Sequence, residues 1–229
     1  MYQNKKILAV IPARGGSKRL PRKNILELAG KPLIEWTISA AKESQHIDKV
    51  VVTSDDKDIL ALSEKNNINT IVRPASLASD KASTVDVVLH SIENMNDEYD
   101  YIVLLQPTSP LRAAQHIDAA IVEMFEKNAE SVVSVTKTEH SPLWSNVLPE
   151  DRPMNNFFGS DIEGVRSQDL VPYYRLNGAI YIVNTNKFID AKRFVSNMSF
   201  AYIMPAENSV DIDTRFDFIC AEALLSCNI

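Results

Sequence analysis

Eleven residues near the start of the chain carry a concentrated positive charge. From Arg14 to Asn24 the sequence reads RGGSKRLPRKN, which sets Arg14, Lys18, Arg19, Arg22 and Lys23 around Gly15, Gly16 and Ser17. Adjacent glycines let backbone amides face an anion with no side chain in the way. Guanidinium and ammonium groups can then neutralise several phosphate oxygens together. The expected ligand is a polyphosphate. The loop fits neither the P-loop pattern nor GxGxxG, because GSK stands where GKS or GKT would be needed. Near the other end, SVDIDTRFD carries Asp211 and Asp213. Residues two apart in an extended run point the same way, so these carboxylates can converge. Asp213 also reads as a cap for the last helix, and Asp217 as a surface carboxylate.

The rest of the composition sharpens the contrast. Twenty-four basic against 30 acidic residues give a net charge of −6, which disfavours a nucleic-acid-binding surface. No apolar run approaches the ~20 residues of a membrane span, and the apolar start ILAVIPAR stops at Arg14, as a buried strand would. The two cysteines, Cys220 and Cys227, read as small core residues of a reduced, cytoplasmic protein.

The elements that must position these groups follow from periodicity. Lys6–Ile11, Lys49–Thr53, Asp100–Leu105 and Glu130–Val135 are β-rich runs without apolar–polar alternation, as expected of strands buried on both faces. Between them, Leu33, Ile34, Thr37, Ile38 and Ala41 share one helical face, as do Ile117, Ala120, Ile121, Met124 and Phe125. Phe216, Ile219, Cys220, Ala223, Leu224 and Cys227 form a similar closing stripe. Strand–helix alternation predicts an α/β fold with a doubly wound, mostly parallel sheet, whose ligands bind beyond the carboxyl ends of strands. Residues 1–229 read as one domain. The proline-rich stretch 140–174 lacks periodicity and reads as an inserted arm.

These segments carry a resemblance. IPARGGSKRLPRKNI, GKPLIEWTI, VTSDD, LLQPTSPLR, YRLNGAIYI and VDIDTRFD resemble, in this order, the CMP-sialic acid synthetase (acylneuraminate cytidylyltransferase) family. The resemblance runs from about Lys6 to about Leu225. It implies a Rossmann-like nucleotidyltransferase that moves a cytidylyl group from CTP to the anomeric hydroxyl of a nine-carbon 2-keto sugar acid. Pyrophosphate is released with the help of a divalent metal, Mg²⁺.

By similarity, Arg14, Gly15, Gly16, Ser17 and Lys23 would hold the triphosphate, with Arg14, Lys23 and Asp211 catalytic. Asn24 and Arg73 would meet the cytosine, and Ser83 and Thr84 the ribose, although helix capping explains the last two equally. Gln106, Thr108 and Ser109 would meet the sugar's polar groups, Arg166 and Arg175 its carboxylate or tail, and Tyr181 would line the pocket. A guanidinium suits a carboxylate because two parallel hydrogen bonds form. Asp211 and Asp213 would hold Mg²⁺, which accepts carboxylates together with phosphate oxygens. His140 reads as a turn residue more than a general base.

Family members dimerise through such an arm, so Trp144, Val147, Leu148, Phe157 and Phe158 imply a homodimer, with Arg166 reaching a partner's site. Trp144 stands where some relatives carry a basic residue, and an indole suits an N-acyl surface. Legionaminic and pseudaminic acid are therefore alternatives to sialic acid. A reading from another class, a nucleotide- or sugar-phosphate-binding module without transfer activity, needs the phosphate loop but has no use for Asp211 and Asp213, which would repel phosphates.

Overall fold

The computed structural model describes residues 1–79, 82–154, 157–159, 162 and 164–227. Strand β1 (Ile7–Pro12) leads through the basic loop to a short hairpin, β2 (Glu27–Leu28) and β3 (Lys31–Pro32), and helix α1 (Leu33–Glu43). Then come β4 (Lys49–Ser54), α2 (Lys57–Lys65), β5 (Asn69–Val72), α3 (Thr84–Glu93), β6 (Tyr101–Leu104), α4 (Ala114–Glu126) and β7 (Ser131–Lys137). The chain closes with β8 (Tyr174–Asn184), α5 (Thr185–Ala191), β9 (Ser199–Ile203) and α6 (Arg215–Ser226). All four buried runs expected from the sequence are strands, with ends shifted by one or two residues.

The main sheet has the order β5-β4-β1-β6-β8-β7-β9. Only β8 runs against its neighbours, pairing antiparallel with both β6 and β7. The remaining pairings are parallel, so the doubly wound, mostly parallel architecture is observed. One face packs Ile7, Ala9 and Ile11 of β1 against α1 and α4 through Ile34, Ile38, Ile117 and Ile121. The other face packs Leu8 and Val10 against Val88 of α3 and Phe188 of α5. The apolar faces expected for α1 and α4 are the buried ones, with Phe125 half-buried against Tyr2 and Tyr101.

The closing helix departs from expectation. Phe216 is 74% exposed and Ile219 is 52% exposed, whereas Phe218 and Ala221 are buried. Cys220 is half-buried and Cys227 exposed, so neither is a core residue, and both are free thiols. The reason is the packing partner: α6 lies on the basic loop and hairpin, where Phe218 and Ala221 join Leu20, Leu28, Leu33 and Ile212 in a small separate core. A stripe chosen for packing on a sheet therefore picks the wrong face. Between β7 and β8, the described residues form only two single-turn 3-10 helices, Pro142–Trp144 and Ser167–Asp169. The expected arm, 140–174, is irregular where it is described, and part of it lies outside the described residues. Among the described residues, no helix is long and apolar enough to cross a membrane.

Candidate active site

The small core formed by Leu20, Leu28, Ile212 and Phe218 joins two stretches that are far apart in the chain. With Leu20 and Ile212 buried together, the flanking polar groups have to meet. Lys23 Nζ lies 3.0 Å from Asp213 Oδ1 across 190 residues, and it also donates to the Ile212 carbonyl. Arg19 donates to the other oxygen, Asp213 Oδ2, at 3.0 Å. The Ile212 amide in turn bonds the Thr108 carbonyl at 2.8 Å, tying the acidic stretch to the loop after β6. Three loops at the carboxyl end of the parallel strands thus share one cavity of about 630 Å³.

Arg14, Ser17, Lys23, Asn24, Arg73, Thr84, Gln106, Thr108 and Asp213 all line this cavity. Lys23 and Asn24 are almost fully buried, and Asn24 is fixed by donating to the Arg14 carbonyl at 2.9 Å. Arg73 is also buried. It donates to the Thr53 carbonyl at 2.6 Å, its Nε has no partner, and burial lowers its pKa to about 10.

Asp211, expected at the site, is not among the residues that line this cavity; it stands close enough to Asp213 to feel its charge. Its Oδ1 is buried without a hydrogen-bond partner. Burial raises its pKa, the Thr108 hydroxyl bond opposes that rise, and the charge of Asp213 adds to it. A buried carboxylate oxygen with no donor is costly unless a cation satisfies it. Asp211 and Asp213 therefore fit a divalent cation, and the described residues hold no set of three or more acidic, histidine or cysteine ligands. Mg²⁺ takes one or two carboxylates plus substrate phosphates.

Gly15 turns its amide to the protein and not to the cavity. The Gly15 amide donates to Asp55 Oδ1 at 3.1 Å. A Cβ on Gly15 would stand 2.4 Å from Asp56 Oδ2 and 2.8 Å from Asp56 Cβ. Gly15 thus allows the loop to close on Asp56, the cap of α2 that accepts from the Asp58 and Ile59 amides. Arg22, with φ 55°, is drawn to the same helix end by Asp58 and Asp56. Gly16 has open space around it. In β8, Gly178 has φ +74°, and a Cβ there would lie 2.9 Å from Gln106 Oε1 and 3.7 Å from Asp211 Oδ2. This glycine makes room for the wall that Gln106 and Asp211 share.

Several expected site residues stand elsewhere. Ser83 caps α3, accepting from the Asp86 amide at 3.0 Å, and only its neighbour Thr84 reaches the cavity wall. Ser109 is fully buried within its turn, its hydroxyl without a partner, so in this geometry it does not face a ligand. Arg166 is exposed and paired with Asp169 at 2.9 Å. Arg175 is exposed at the start of β8, and neither arginine lines the cavity. Tyr181 is half-buried against Phe194 with ring centroids 5.4 Å apart. Burial, then the charge of Asp211, pushes its hydroxyl pKa up, and Tyr181 is not among the residues that line the cavity. His140 is exposed outside the cavity.

Two groups were not anticipated. Asp55 takes the Gly15 amide. Arg112 is 1% exposed and donates to the Gln106 and Ala179 carbonyls at 3.2 and 2.9 Å, while its Nε and NH2 have no partner. Burial lowers its pKa to about 9. It staples the loop after β6 to β8, directly behind Gln106. The only sequence signal was its place at the end of LLQPTSPLR.

The topology first defines a class of fold. A solved CMP:2-keto-3-deoxy-manno-octonic acid synthetase, complexed with CTP, superposes with TM-score 0.75 over 98% of this chain and 100% of its own, at 19% identity. A 4-diphosphocytidyl-2C-methyl-D-erythritol synthase from Anaerococcus prevotii superposes with TM-score 0.66 over 97% and 96%, at 16% identity. At such identities the likeness concerns the fold alone.

The sequence narrows it further. Residues 8–150 match the profile of the family described as Cytidylyltransferase, and the chain belongs to that family. An N-acylneuraminate cytidylyltransferase from Escherichia coli is 40% identical over 93% of this chain and 50% of its own length. A CMP-N,N'-diacetyllegionaminic acid synthase from Legionella pneumophila is 36% identical over 97% of both chains, and a pseudaminic acid cytidylyltransferase from Campylobacter jejuni is 33% identical over 97% of both. The chain spans about half the length of the E. coli relative and nearly all of the other two.

Proposed function

We propose that this chain transfers CMP from CTP to the anomeric hydroxyl of a nonulosonic acid, with N-acetylneuraminic acid as the first-choice acceptor and pyrophosphate as the leaving group. The observation that carries the reading is the 3.0 Å contact between Lys23 and Asp213 in a cavity also lined by Arg14, Gln106 and Thr108. A cationic turn meeting Asp213 on one wall, with a second carboxylate, Asp211, close by, is what a metal-loaded triphosphate would require.

The acceptor hydroxyl oxygen bonds to the α-phosphorus as its proton passes to solvent and the bond to the β-phosphate bridging oxygen breaks, and that electron pair leaves with pyrophosphate. Phosphoryl-type transfer asks the protein mainly for positioning and charge stabilisation. Arg14, Ser17 and Lys23 would hold the phosphates and stabilise charge on the leaving group. Asn24 and Arg73 would face the base, and Thr84 the ribose. Gln106, Thr108 and Tyr181 would orient the sugar acid. Asp211 and Asp213 would hold the divalent cation, which when bound draws electron density from the phosphate oxygens.

Legionaminic or pseudaminic acid is the second reading of the acceptor. It is favoured by the near end-to-end match to relatives named for those sugars and by Trp144 after Pro142 and Leu143. A module that only binds nucleotide is disfavoured by Asp213, whose carboxylate lines the cavity and would meet phosphate there without a cation.

The reading extends to a cytoplasmic homodimer of single-domain chains. Its arm exposes Val147 at 87% and Val171 at 67%, and Arg166 and Arg175 lie outside their own chain's cavity, available to a neighbour. Light scattering after size-exclusion chromatography would read a monomer if this is wrong. The activity itself is tested by pyrophosphate release with CTP, Mg²⁺ and each of sialic, legionaminic, pseudaminic and 3-deoxy-manno-octulosonic acids. Release with none of them overturns the proposal.

A further inference from the structure

The carboxylate offered to the metal is already engaged on both oxygens. Lys23 holds Asp213 Oδ1 at 3.0 Å, and Arg19 holds Oδ2 at 3.0 Å. The same two cations stand in the cavity that would take the triphosphate. A divalent ion and these side chains therefore compete for one carboxylate, while the triphosphate and that carboxylate compete for the side chains.

We infer that Arg19 is a positioning residue that couples the two loading events. It occupies Asp213 until nucleotide phosphates draw it and Lys23 away, so that the metal gains Asp213 only together with the triphosphate. This rests on the proposed metal role of Asp213. Lys23 takes part in the same exchange, but its nearly buried ammonium also bonds the Ile212 carbonyl, so its removal would disturb packing as well. Arg19 has a side chain 71% exposed and no other hydrogen-bond or ion-pair partner among those described, so it can be changed with little structural cost.

The consequence is thermodynamic. Binding linkage is reciprocal: whatever factor the nucleotide adds to metal affinity, the metal adds to nucleotide affinity. Removing Arg19 frees one oxygen of Asp213 in the nucleotide-free protein and leaves less for the nucleotide to release. Asp211 Oδ1, buried and unpartnered, gives the ion its second foothold in either state. An exposed ion pair of this kind limits the effect to about two- to fivefold, and salt weakens it.

The test is Mn²⁺ binding, counted from the free-ion electron paramagnetic resonance signal, with and without CTP, in wild type, Arg19→Gln and Arg19→Lys. Without nucleotide, Arg19→Gln should bind Mn²⁺ about two- to fivefold more tightly than wild type, a gain that shrinks at high salt. Arg19→Lys should behave as wild type, and CTP should enhance Mn²⁺ affinity by a smaller factor in Arg19→Gln. Equal or weaker Mn²⁺ binding by Arg19→Gln, or no detectable nucleotide-free binding in any of the three, overturns the inference. Asp213→Asn separates this from the underlying reading. Loss of CTP-dependent Mn²⁺ binding there, with Arg19→Gln unchanged from wild type, sinks only the role of Arg19. Undiminished Mn²⁺ binding in Asp213→Asn with CTP sinks the metal site itself.

Discussion

Replacing Asp211 by asparagine should make the metal-free protein more stable and the enzyme inactive. Asp211 is half-buried, its enclosed Oδ1 has no partner, and the charge of Asp213 adds to its discomfort, with Thr108 and Lys23 only partly compensating. An unsatisfied buried polar group costs about 1–3 kcal/mol, more when charged. An amide of the same shape carries no charge and keeps an acceptor for Thr108, so a gain of about 1 kcal/mol is a conservative expectation, raising the melting temperature by about 2–4 °C for a chain of this size. The sign with pH follows from the raised pKa. Between the unfolded carboxylate range and the higher folded value, the folded chain binds more protons, so metal-free stability falls as pH rises through that window. Asp211→Asn should flatten this decline. Thermal melts in chelator from pH 4 to 8, beside pyrophosphate release with CTP and Mg²⁺, measure both quantities. A variant that melts lower than wild type at neutral pH, or that keeps wild-type turnover, would refute the reasoning: the first would show that the carboxylate is satisfied, the second that it is not needed.

Other substitutions probe the supporting structure. Gly15→Ala places a Cβ 2.8 Å from Asp56 Cβ, so the cap of α2 must shift. Urea denaturation should read a loss of about 1–2 kcal/mol, with weakened nucleotide binding by calorimetry. Gly178→Ala meets both a left-handed backbone and Gln106 Oε1. It should cost about 1–2 kcal/mol in folding, and steady-state kinetics should show KM for the sugar acid rising more than KM for CTP. Arg112→Ala removes a fully buried side chain and orphans the carbonyls of Gln106 and Ala179. Chemical denaturation should show a loss of about 3–5 kcal/mol, typical of deleting a large core side chain or one member of a buried polar set.

The parts of the fold legible in the sequence were those where burial on two faces leaves an unbroken apolar run. Lys49–Thr53 and Asp100–Leu105 have no polar alternation because α/β sheets are covered on both sides. The stripes of α1 and α4 were equally plain, since both helices pack on the sheet with a broad apolar face. The stripe of α6 misled because this helix packs on a loop through Phe218 and Ala221, leaving Phe216 outside. At the site, residue type announced the charges but not their partners. Nothing in RGGSKRLPRKN says that Gly15 gives its amide to Asp55, that Arg22 leaves for α2, or that Arg19 reaches Asp213. Those pairings depend on loops that converge only when the sheet is complete. Ser109 shows the converse, a polar residue in a promising motif that the fold turns inward.

The most direct measurement is a crystal of the protein soaked with CTP and Mn²⁺, with the metal located by its anomalous signal. The account predicts one ion bound by Asp211 and Asp213 and by nucleotide phosphate oxygens, with Lys23 and Arg14 on those phosphates. A nucleotide whose phosphates lie away from Lys23, or an ion with no ligand from Asp211 or Asp213, would contradict it.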